Sequence, residues 1–397
     1  MVDDALIAGM VGSCPTPFYV FDERAVAQRI DALRAAMPDG TVMCYAMKAN
    51  SFILEAAARS ADAIEVCSPG EYRTCQALGV PDDRLVISGI NKDPDFMREL
   101  ICGGAAIHRY TVESPLQFEL MESLAREADV RIPILMRLTS GSQFGMAASE
   151  VRRIVREHRD NPHIDFCGVQ FFSGTQKHSV KQYGRELRQA DSFIASLEEE
   201  SGLAVREFEY GPGLPAEYCE VPEEEIRAKD AEFVGALGEA LAAMAFAGGK
   251  ILEIGRGIAA SCGTYATRVV DAKCNKGVNY AIVDGGKHQI SYYGPSLALN
   301  PPACTAVPQR TEGERKTWAI CGSLCTTNDI LVKQVEVCDL RIGDAVVFPN
   351  AGAYCATEGV LLFLSRDLPA VYLVGDDGAP RIVRPRIETS YLNTPQS

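Results

Sequence analysis

The chain of 397 residues is 47% hydrophobic and carries a formal net charge of −14, with a pI near 5.0. An acidic surface is repelled by phosphate backbones and anionic lipids, so the charge argues against partners among nucleic acids and membranes. No segment approaches about 18 uninterrupted apolar residues, the acidic start does not resemble a signal peptide, and the fourteen cysteines follow no disulfide or CxxC framework. We therefore expect a cytoplasmic protein with reduced thiols and no metal site.

From residue 14 to about residue 260, short apolar runs alternate with stretches of helical periodicity. Residues 14–22 predict a strand that opens after two prolines, and the helical stretches include Glu23–Ala36, Pro115–Glu127 and Glu150–His158. Eight further strands are predicted at Val42–Ala46, Ala63–Cys67, Arg84–Ser88, Ala106–Arg109, Ile132–Leu138, Phe166–Phe171, Arg206–Tyr210 and Lys250–Glu253. Eight strands alternating with helices predict an α/β fold with a parallel (β/α)8 barrel.

After about residue 263 the pattern changes to successive runs rich in Val, Ile, Thr and Tyr. The predicted strands are Tyr265–Lys273, Tyr280–Val283, Lys316–Cys321, Ala345–Phe348 and Val371–Val374. The polar, proline-rich segment Asn300–Arg315 is predicted to be an exposed loop. The carboxyl-terminal part of the chain is therefore predicted to be an all-β domain.

Lys48 stands at the end of the first predicted barrel strand. Burial of an ammonium group is costly unless the group is paired or neutralised, so Lys48 is a candidate nucleophilic amine that could form a Schiff base with an aldehyde cofactor. The alternative is a lysine that extends to the surface at a strand end. Reactive groups of a parallel barrel gather at the carboxyl ends of its strands. Other polar or glycine-bearing strand ends occur at Arg137, Gln170, 211–213 and 253–257.

Two of these strand ends suggest a phosphate-bearing ligand. Gly211-Pro212-Gly213 could let backbone N–H groups approach a phosphate, although a glycine turn is often only structural. Glu253-Ile254-Gly255-Arg256-Gly257 places a carboxylate, a glycine and an arginine together. The arginine can grip a phosphate and the carboxylate can hold a heterocyclic nitrogen protonated. The alternative is a local Glu–Arg ion pair.

Two loops of the second domain carry further candidates. Cys325 lies in the polar segment 322–329, which is unlike a core environment, so it is a candidate proton donor. The alternative is one more free cysteine among fourteen. Tyr354 ends the glycine-bearing segment 350–354, where a tyrosine could equally serve packing.

Taken together and in order, the motifs resemble one family, the fold-type III pyridoxal-phosphate decarboxylases, which include diaminopimelate and ornithine decarboxylases. The motifs are 45–50, 68–71, 142–145, 174–176, 211–213, 253–256, 325–329 and 352–354. The resemblance covers nearly the whole chain. It implies an alanine-racemase-type barrel at residues 22–262 and a β domain at residues 263–397 that includes an N-terminal strand within residues 1–21. It also implies a head-to-tail homodimer with shared active sites.

Matched position by position, the resemblance implies that Lys48 forms the Schiff base with pyridoxal 5'-phosphate and that Glu253 pairs with the pyridine nitrogen. It also implies that Cys325 of the partner subunit is the proton donor. The other residues expected around the cofactor are Glu65, Arg137, Phe172, Thr175, Gly211, Gly213, Gly255, Arg256 and Tyr354. The residues expected near the substrate are Asp284, Thr326 and Asp329.

These assignments favour decarboxylation of an α-amino acid. Loss of carbon dioxide leaves a carbanion, which a protonated pyridine ring delocalises best, and Glu253 favours that proton. Cys325 could then supply the proton that Cα needs. The alternatives are an amino-acid racemase on the same barrel, in which an arginine faces this nitrogen, and a homologue that has lost activity.

The sequence departs from the resembled family in three places. Phe172 replaces a histidine that stacks on the cofactor, although its aromatic face can still stack. Thr326 replaces an acid that grips a distal amino group, and segment 284–293 lacks the arginine that diaminopimelate decarboxylases use for the distal carboxylate. We therefore expect a substrate without a free distal ammonium, either a free amino acid or an aminoacyl group tethered to a carrier protein, with diaminopimelate as the alternative. Lys287 and His288 are expected to be solvated loop residues, with contact to an anionic substrate group as the alternative.

Overall fold

The computed structural model describes residues 3–291 and 302–395, which fold into two compact units, named here the barrel unit and the sheet unit. Within this described part, every helix is too short or too polar to cross a bilayer. The end of the sequence segment 284–293 and the start of the predicted loop Asn300–Arg315 lie outside the described residues.

The elements have the following bounds. The helices are α1 (Asp4–Ser13), α2 (Glu23–Ala35), α3 (Leu54–Ser60), α4 (Pro69–Ala77), α5 (Pro94–Cys102), α6 (Pro115–Glu127), α7 (Ala148–His158), α8 (Lys181–Ser201), α9 (Glu223–Ala242) and α10 (Arg256–Ala259). The strands are β1 (Phe18–Asp22), β2 (Val42–Ala46), β3 (Ala63–Val66), β4 (Leu85–Ile87), β5 (Arg109–Val112), β6 (Ile132–Leu138), β7 (Ile164–Phe172), β8 (Glu207–Gly211), β9 (Gly249–Ile254), β10 (Gly263–Asn275), β11 (Val278–Val283), β12 (Thr305–Val307), β13 (Arg315–Cys321), β14 (Ile330–Cys338), β15 (Ala345–Phe348), β16 (Ala370–Val374) and β17 (Pro380–Arg384).

The barrel unit comprises Ala27–Pro215 and Arg227–Gly257. Strands β2 to β9 form a closed parallel barrel in which each strand pairs with the next and β9 pairs with β2. The strands are buried along most of their length, as expected when helices cover the outside of a parallel sheet. This arrangement confirms the predicted (β/α)8 barrel.

Three of the barrel helices begin with the same local signal. The side chains of Ser68, Asp93 and Ser114 each accept a hydrogen bond from a backbone N–H in the first turn of α4, α5 and α6, and each is followed by proline. The capping side chain satisfies a backbone N–H that has no partner within the helix. The proline that follows has a φ already close to the helical value. The turns after β3 and β5 are thereby fixed close to the carboxyl ends of the strands.

The sheet unit comprises Met1–Val26, Ala216–Ile226 and Ile258–Ser397. Its strands follow the order β14-β13-β11-β10-β1-β16-β17, with β15 also pairing with β10 and β12. Strand β1 is buried throughout and pairs antiparallel with β10 and parallel with β16, so the N-terminal strand belongs to this sheet. The C-terminal β domain is confirmed.

The structure differs from the sequence expectations in several elements. The strand predicted at Ala106–Arg109 is observed at Arg109–Val112, because Tyr, Thr and Val favour extended structure more than the preceding alanine-rich run does. Helix α1 was not predicted, since Gly9 and Gly12 lower its helix propensity. Strand β12 lies inside the segment predicted to be a loop, and β14 and β17 were also not predicted.

Candidate active site

The amine of Lys48 lies between two buried carboxyl groups. Strand β2 ends at Ala46, and a 3₁₀ turn at Met47–Ala49 places Lys48 directly after it. Lys48 Nζ is 2.5 Å from Glu65 Oε2 and 3.0 Å from Glu253 Oε1. The carboxylates come from β3 and β9, the two neighbours of β2 in the barrel. The structure therefore brings together three of the residues that the sequence analysis selected.

The two carboxyl groups differ in their affinity for protons. Burial acts to raise the pKa of Glu65, but the adjacent Lys48 ammonium outweighs it and the pKa is lowered. Burial, followed by the charge of Glu65, raises the pKa of Glu253. Gln170 Nε2, on β7, donates a hydrogen bond to Glu253 Oε2 at 3.1 Å. Glu65 is thus the persistent counterion of the lysine, and Glu253 is the carboxyl group at which a proton is readily held or exchanged.

The second cluster in the barrel unit joins a glycine turn to a buried arginine. Gly213 has a φ of +59°, and a Cβ at this position would lie 2.1 Å from the carbonyl oxygen of Gly174. At Gly211 an added Cβ would lie 2.5 Å from Cδ2 of Phe172. Only glycine therefore allows this close approach of the β7 and β8 loops.

Arg256 lies at the other side of this cluster, directly after Gly255 at the end of β9. Its side chain is buried, and its Nε is 3.3 Å from Thr175 Oγ1. A guanidinium, a hydroxyl and glycine-bearing backbone are the groups that bind a phosphate. Thr175 and Arg256 are brought together as the sequence analysis expected.

Arg137 is held in the barrel by a carboxylate. Its Nη1 donates to Glu113 Oε1 at 3.0 Å, and its guanidinium carbon lies 4.9 Å from the ring centre of Phe144. Glu113 Oε2 also accepts from the backbone N–H of Gly145 at 3.3 Å. The ion pair thus ties the loop after β6 to the barrel. Phe172, the last residue of β7, is half-buried at the same end of the barrel.

The sheet unit carries the remaining selected residues. Cys325 and Thr326 are exposed on a loop that Asp329 organises, because Asp329 accepts from the backbone N–H groups of Lys287 and Leu324, both at 2.8 Å. Both carboxylate oxygens of Asp329 are therefore already engaged in the loop.

Asp284 and Tyr354 also lie in the sheet unit. The carboxylate of Asp284 accepts hydrogen bonds from Thr16 Oγ1 at 2.7 Å and from Thr267 Oγ1 at 2.6 Å. Tyr354 is half-buried and has a φ of +66°. Asp284 thus joins the N-terminal segment to the sheet, and Tyr354 lies at a tight turn of the chain.

The structure corrects the expectation for His288. The side chain is only 1% exposed, whereas Lys287 beside it is exposed. Burial lowers the pKa of His288 to about 4, so the ring is neutral at neutral pH. Gly286 packs closely against both the His288 ring and the Asp329 carboxylate, a tertiary arrangement that a local sequence pattern does not reveal.

Sequence reasoning also did not select several polar residues inside the barrel. Cys67 Sγ lies 3.8 Å from Lys48 Nζ, and Glu113 and Glu209 are buried. Glu207 and Glu209 alternate with Phe208 and Tyr210, a pattern typical of a strand with one solvated face. The burial of Glu209 could have been inferred from the predicted barrel, because both faces of the strands in a closed parallel barrel are covered.

Comparison with known proteins agrees with this site. A sequence profile of the family described as "Pyridoxal-dependent decarboxylase, pyridoxal binding domain" matches residues 23–260. Diaminopimelate decarboxylase of Vibrio cholerae serotype O1 is 26% identical, with 97% of this chain and 94% of the relative covered. L-glutamyl-[BtrI acyl-carrier protein] decarboxylase of Niallia circulans is 24% identical, with 96% and 94% covered.

The fold is also found among solved structures. The crystal structure of diaminopimelate decarboxylase from Helicobacter pylori complexed with L-lysine has a TM-score of 0.85 to this chain at 22% identity. The match covers 97% of this chain and 98% of that one.

Pyridoxal phosphate fits the residues of the barrel unit. Lys48 offers an amine held by Glu65, Glu253 offers a buried carboxyl group at which a proton can reside, and Thr175 and Arg256 offer donors for a phosphate. Gly213 packs directly against the backbone of Gly174 and Thr175, so the glycine turn lies beside the hydroxyl-bearing residue of this cluster. These groups match an aldehyde, a pyridine nitrogen and a phosphate, which are the three binding features of this cofactor.

Proposed function

The chain belongs to the family of pyridoxal-dependent decarboxylases, and from this premise we propose that it decarboxylates an α-amino acid whose side chain bears no free distal ammonium. We propose further that this amino acid is presented as an aminoacyl group on a carrier protein. The observation that carries the chemistry is the placement of the Lys48 amine between Glu65 and Glu253.

The barrel residues would hold the cofactor and control one proton. When bound, pyridoxal phosphate supplies an electron sink for the pair of electrons that remains on Cα after carbon dioxide leaves. Lys48 would bind the cofactor's aldehyde carbon, and Arg256 with Thr175 would hold its phosphate. Glu253 would keep a proton at the pyridine nitrogen, and Gln170 would orient the Glu253 carboxyl group through its hydrogen bond.

The sheet unit would supply the second proton. We propose that Cys325 of the partner subunit protonates Cα, in a homodimer whose subunits share their active sites. The exposure of Cys325 on an ordered loop supports this role, because a proton donor must reach the substrate while its position is maintained. We also propose a cytoplasmic location, because the fourteen cysteines are scattered through the sequence without a disulfide framework.

The substrate proposal rests on residues of the sheet unit. Thr326 follows Cys325 and cannot offer a charge to a distal ammonium, and 284–291 contains no arginine for a distal carboxylate. The carboxylate oxygens of Asp329 already accept backbone hydrogen bonds. The similarity to a relative whose name specifies a glutamyl group on an acyl-carrier protein supports a tethered substrate.

A second candidate substrate is free diaminopimelate. It is favoured by the similarity to diaminopimelate decarboxylases over nearly the whole chain. Racemisation is not favoured, because a carboxyl group, Glu253, lies beside Lys48 rather than a guanidinium.

The test is carbon dioxide release by the holoenzyme from free L-amino acids, D-amino acids, diaminopimelate and aminoacyl thioesters of a carrier protein. We expect release from a tethered aminoacyl group and little from ornithine or diaminopimelate. Saturable release from free diaminopimelate would contradict the substrate proposal, and racemisation without carbon dioxide would contradict the reaction.

One substitution tests the role of Thr326. Thr326→Asp should lower KM for substrates with a distal ammonium, since it restores a negative charge at that position. Thr327→Asp is the matched control, because the neighbouring residue is also exposed and gains the same charge. Equal effects of both variants would mean that only the net charge of the loop matters.

A further inference from the structure

Two residues inside the barrel have polar atoms without a protein partner. Glu209 on β8 is 0% exposed, and neither of its carboxyl oxygens has a hydrogen-bond partner. Gln170 on β7 is also 0% exposed, and its Oε1 lacks a partner although its Nε2 donates to Glu253. Buried polar atoms are nearly always hydrogen-bonded, so these three oxygens require an explanation.

The sheet register makes the two residues neighbours. In the β7–β8 ladder, Gln170 is paired directly with Glu209. Paired residues of adjacent parallel strands project their side chains to the same face. Because Gln170 reaches Glu253 on β9, that face is the barrel interior. Glu209 and Gln170 thus share one buried layer with Glu253.

The charges around Glu209 determine its protonation. Glu253 on β9 and Glu65 on β3 disfavour a further negative charge, and Arg137 on β6 and Lys48 after β2 only partly offset them. Cys44 on β2 is also close enough to be affected, and its own thiol is kept neutral by burial. Burial and the two carboxyl groups raise the pKa of Glu209 well above its usual range. Both effects favour the protonated form of Glu209.

We propose that Glu209 is a protonated positioning residue, which donates its O–H to Gln170 Oε1 and thereby fixes the hydrogen bond from Gln170 Nε2 to Glu253. A neutral carboxyl group has one donor, and Gln170 Oε1 is an acceptor without a partner, so the pairing satisfies both. If Glu209 were ionised, both of its carboxylate oxygens would be hydrogen-bond acceptors. They could not pair with Gln170 Oε1, which is also an acceptor. The inference rests on the role proposed above for Glu253 at the pyridine nitrogen.

The consequence concerns the orientation of the Gln170 amide. Without a donor at Oε1, the amide could rotate by half a turn and present its oxygen to Glu253. With Glu209 in place, the NH₂ group must face Glu253, and a donated hydrogen bond favours the ionised form of that carboxyl group. With the cofactor bound, an ionised Glu253 would favour the proton at the pyridine nitrogen.

The test compares Glu209→Gln with Glu209→Met. Glutamine keeps a donor for Gln170 Oε1, whereas methionine keeps only the volume. We expect Glu209→Gln to retain the Kd for pyridoxal phosphate and the pH dependence of its visible absorbance. We expect Glu209→Met to raise that Kd about tenfold, because Gln170 loses its partner. Equal impairment of both variants would show that an ionised Glu209 is required, and a methionine variant equal to the wild type would show that only packing matters. Either result would overturn the proposal.

Infrared spectroscopy of the cofactor-free protein gives a direct readout that depends on neither substrate nor cofactor. At pH 7 the wild type should show a carboxylic-acid C=O band that is missing in Glu209→Gln. Glu207→Gln is the matched control, since Glu207 is two residues earlier on β8 and forms an ion pair with Arg109. The control should leave the band unchanged. Identical spectra of the wild type and Glu209→Gln would refute a protonated Glu209, whereas failure of the carbon dioxide assay alone would leave this result intact.

Discussion

The two units of the molecule use their polar residues in different ways. The barrel unit buries charged and amide side chains in its interior, including Glu65 and Gln170, and the side chain of Glu253 beside the amine of Lys48 is only 9% exposed. The sheet unit has an apolar core of residues from α1 and the central strands, and its acids hold loops in place, as Asp329 does. Buried charge suits the binding of a cofactor, whereas ordered loops suit contact with a substrate. Variants of the Lys48 cluster should therefore alter cofactor binding, and variants of the loop that carries Cys325 should alter turnover with the cofactor still bound.

Lys48→Ala should have the largest effect. Removal of the amine should abolish the visible absorbance of the bound cofactor and lower turnover by at least about 10⁴-fold. Lys250→Ala is the control, because Lys250 also lies on a barrel strand but its Nζ bonds to the carbonyl of Phe246. A Lys48→Ala variant that remains yellow and active would contradict the proposal that the barrel unit binds the cofactor through Lys48.

Cys325→Ala should lower kcat by about 10²- to 10⁴-fold, because a positioned acid contributes by that amount. Its Kd for pyridoxal phosphate should not change, since Cys325 lies on an exposed loop and is not among the residues expected to hold the cofactor. Cys274→Ala, at another exposed cysteine of that unit, should leave kcat unchanged. Weakened cofactor binding in Cys325→Ala would contradict the proposal that Cys325 donates a proton and does not hold the cofactor.

Mixing the two inactive variants sharpens this prediction. If Cys325 acts on the partner subunit's active site, dimers reassembled from Lys48→Ala and Cys325→Ala contain one intact site in each mixed dimer. Random reassembly should restore about a quarter of the wild-type activity. No recovery, with mixed dimers verified by mass spectrometry, would place the thiol within its own subunit or outside the mechanism.

Gly213→Ala should weaken cofactor binding about tenfold or more, since the added methyl group must displace the backbone of Gly174. Gly202→Ala is a matched control. It has a similar positive φ of +69° at the end of α8, but no atom lies within 4 Å of the added Cβ. Both variants should lose about 1 kcal/mol of stability from the strained backbone. Equal Kd values for pyridoxal phosphate would contradict a phosphate site at Gly213.

His288→Gln should have the smallest effect at neutral pH and a pH-dependent one in acid. The folded pKa of about 4 lies below the ordinary value of 6.5, so the unfolded chain binds the proton first as the pH falls. The stability of the wild type is thus complete above about pH 6.5 and is lost towards pH 4. From about pH 6.5 to pH 4, the free energy of unfolding of the wild type should fall by up to about 3 kcal/mol more than that of His288→Gln. Urea unfolding at each pH measures it, and parallel curves would contradict a buried neutral histidine.

The sequence predicted the barrel and the Lys48 cluster because both follow from local patterns. Strand ends in a parallel barrel meet at one rim, so the pattern places Lys48 and Glu253 together. Glu65 was expected beside them only because of the family resemblance. Strands such as Val42–Ala46 and Ile132–Leu138 were predicted with the observed bounds, because apolar runs limited by turn residues define them.

Other features depend on the neighbours of a residue in space. Glu209 alternates with aromatic residues and suggests a solvated face, yet barrel closure buries it. His288 stands in a polar segment but is only 1% exposed, and Gly286 packs closely against it. The burial of such residues is determined by tertiary packing, which the period of a single strand does not encode.

The most direct test of the account is to locate the lysine that carries the cofactor. Borohydride reduction of the yellow holoenzyme fixes pyridoxal phosphate covalently to its lysine, and mass spectrometry of the peptides identifies the position. We expect modification of Lys48 alone. Modification of Lys92 or Lys177, the buried lysines that lie outside the Glu65–Glu253 cluster, would contradict it.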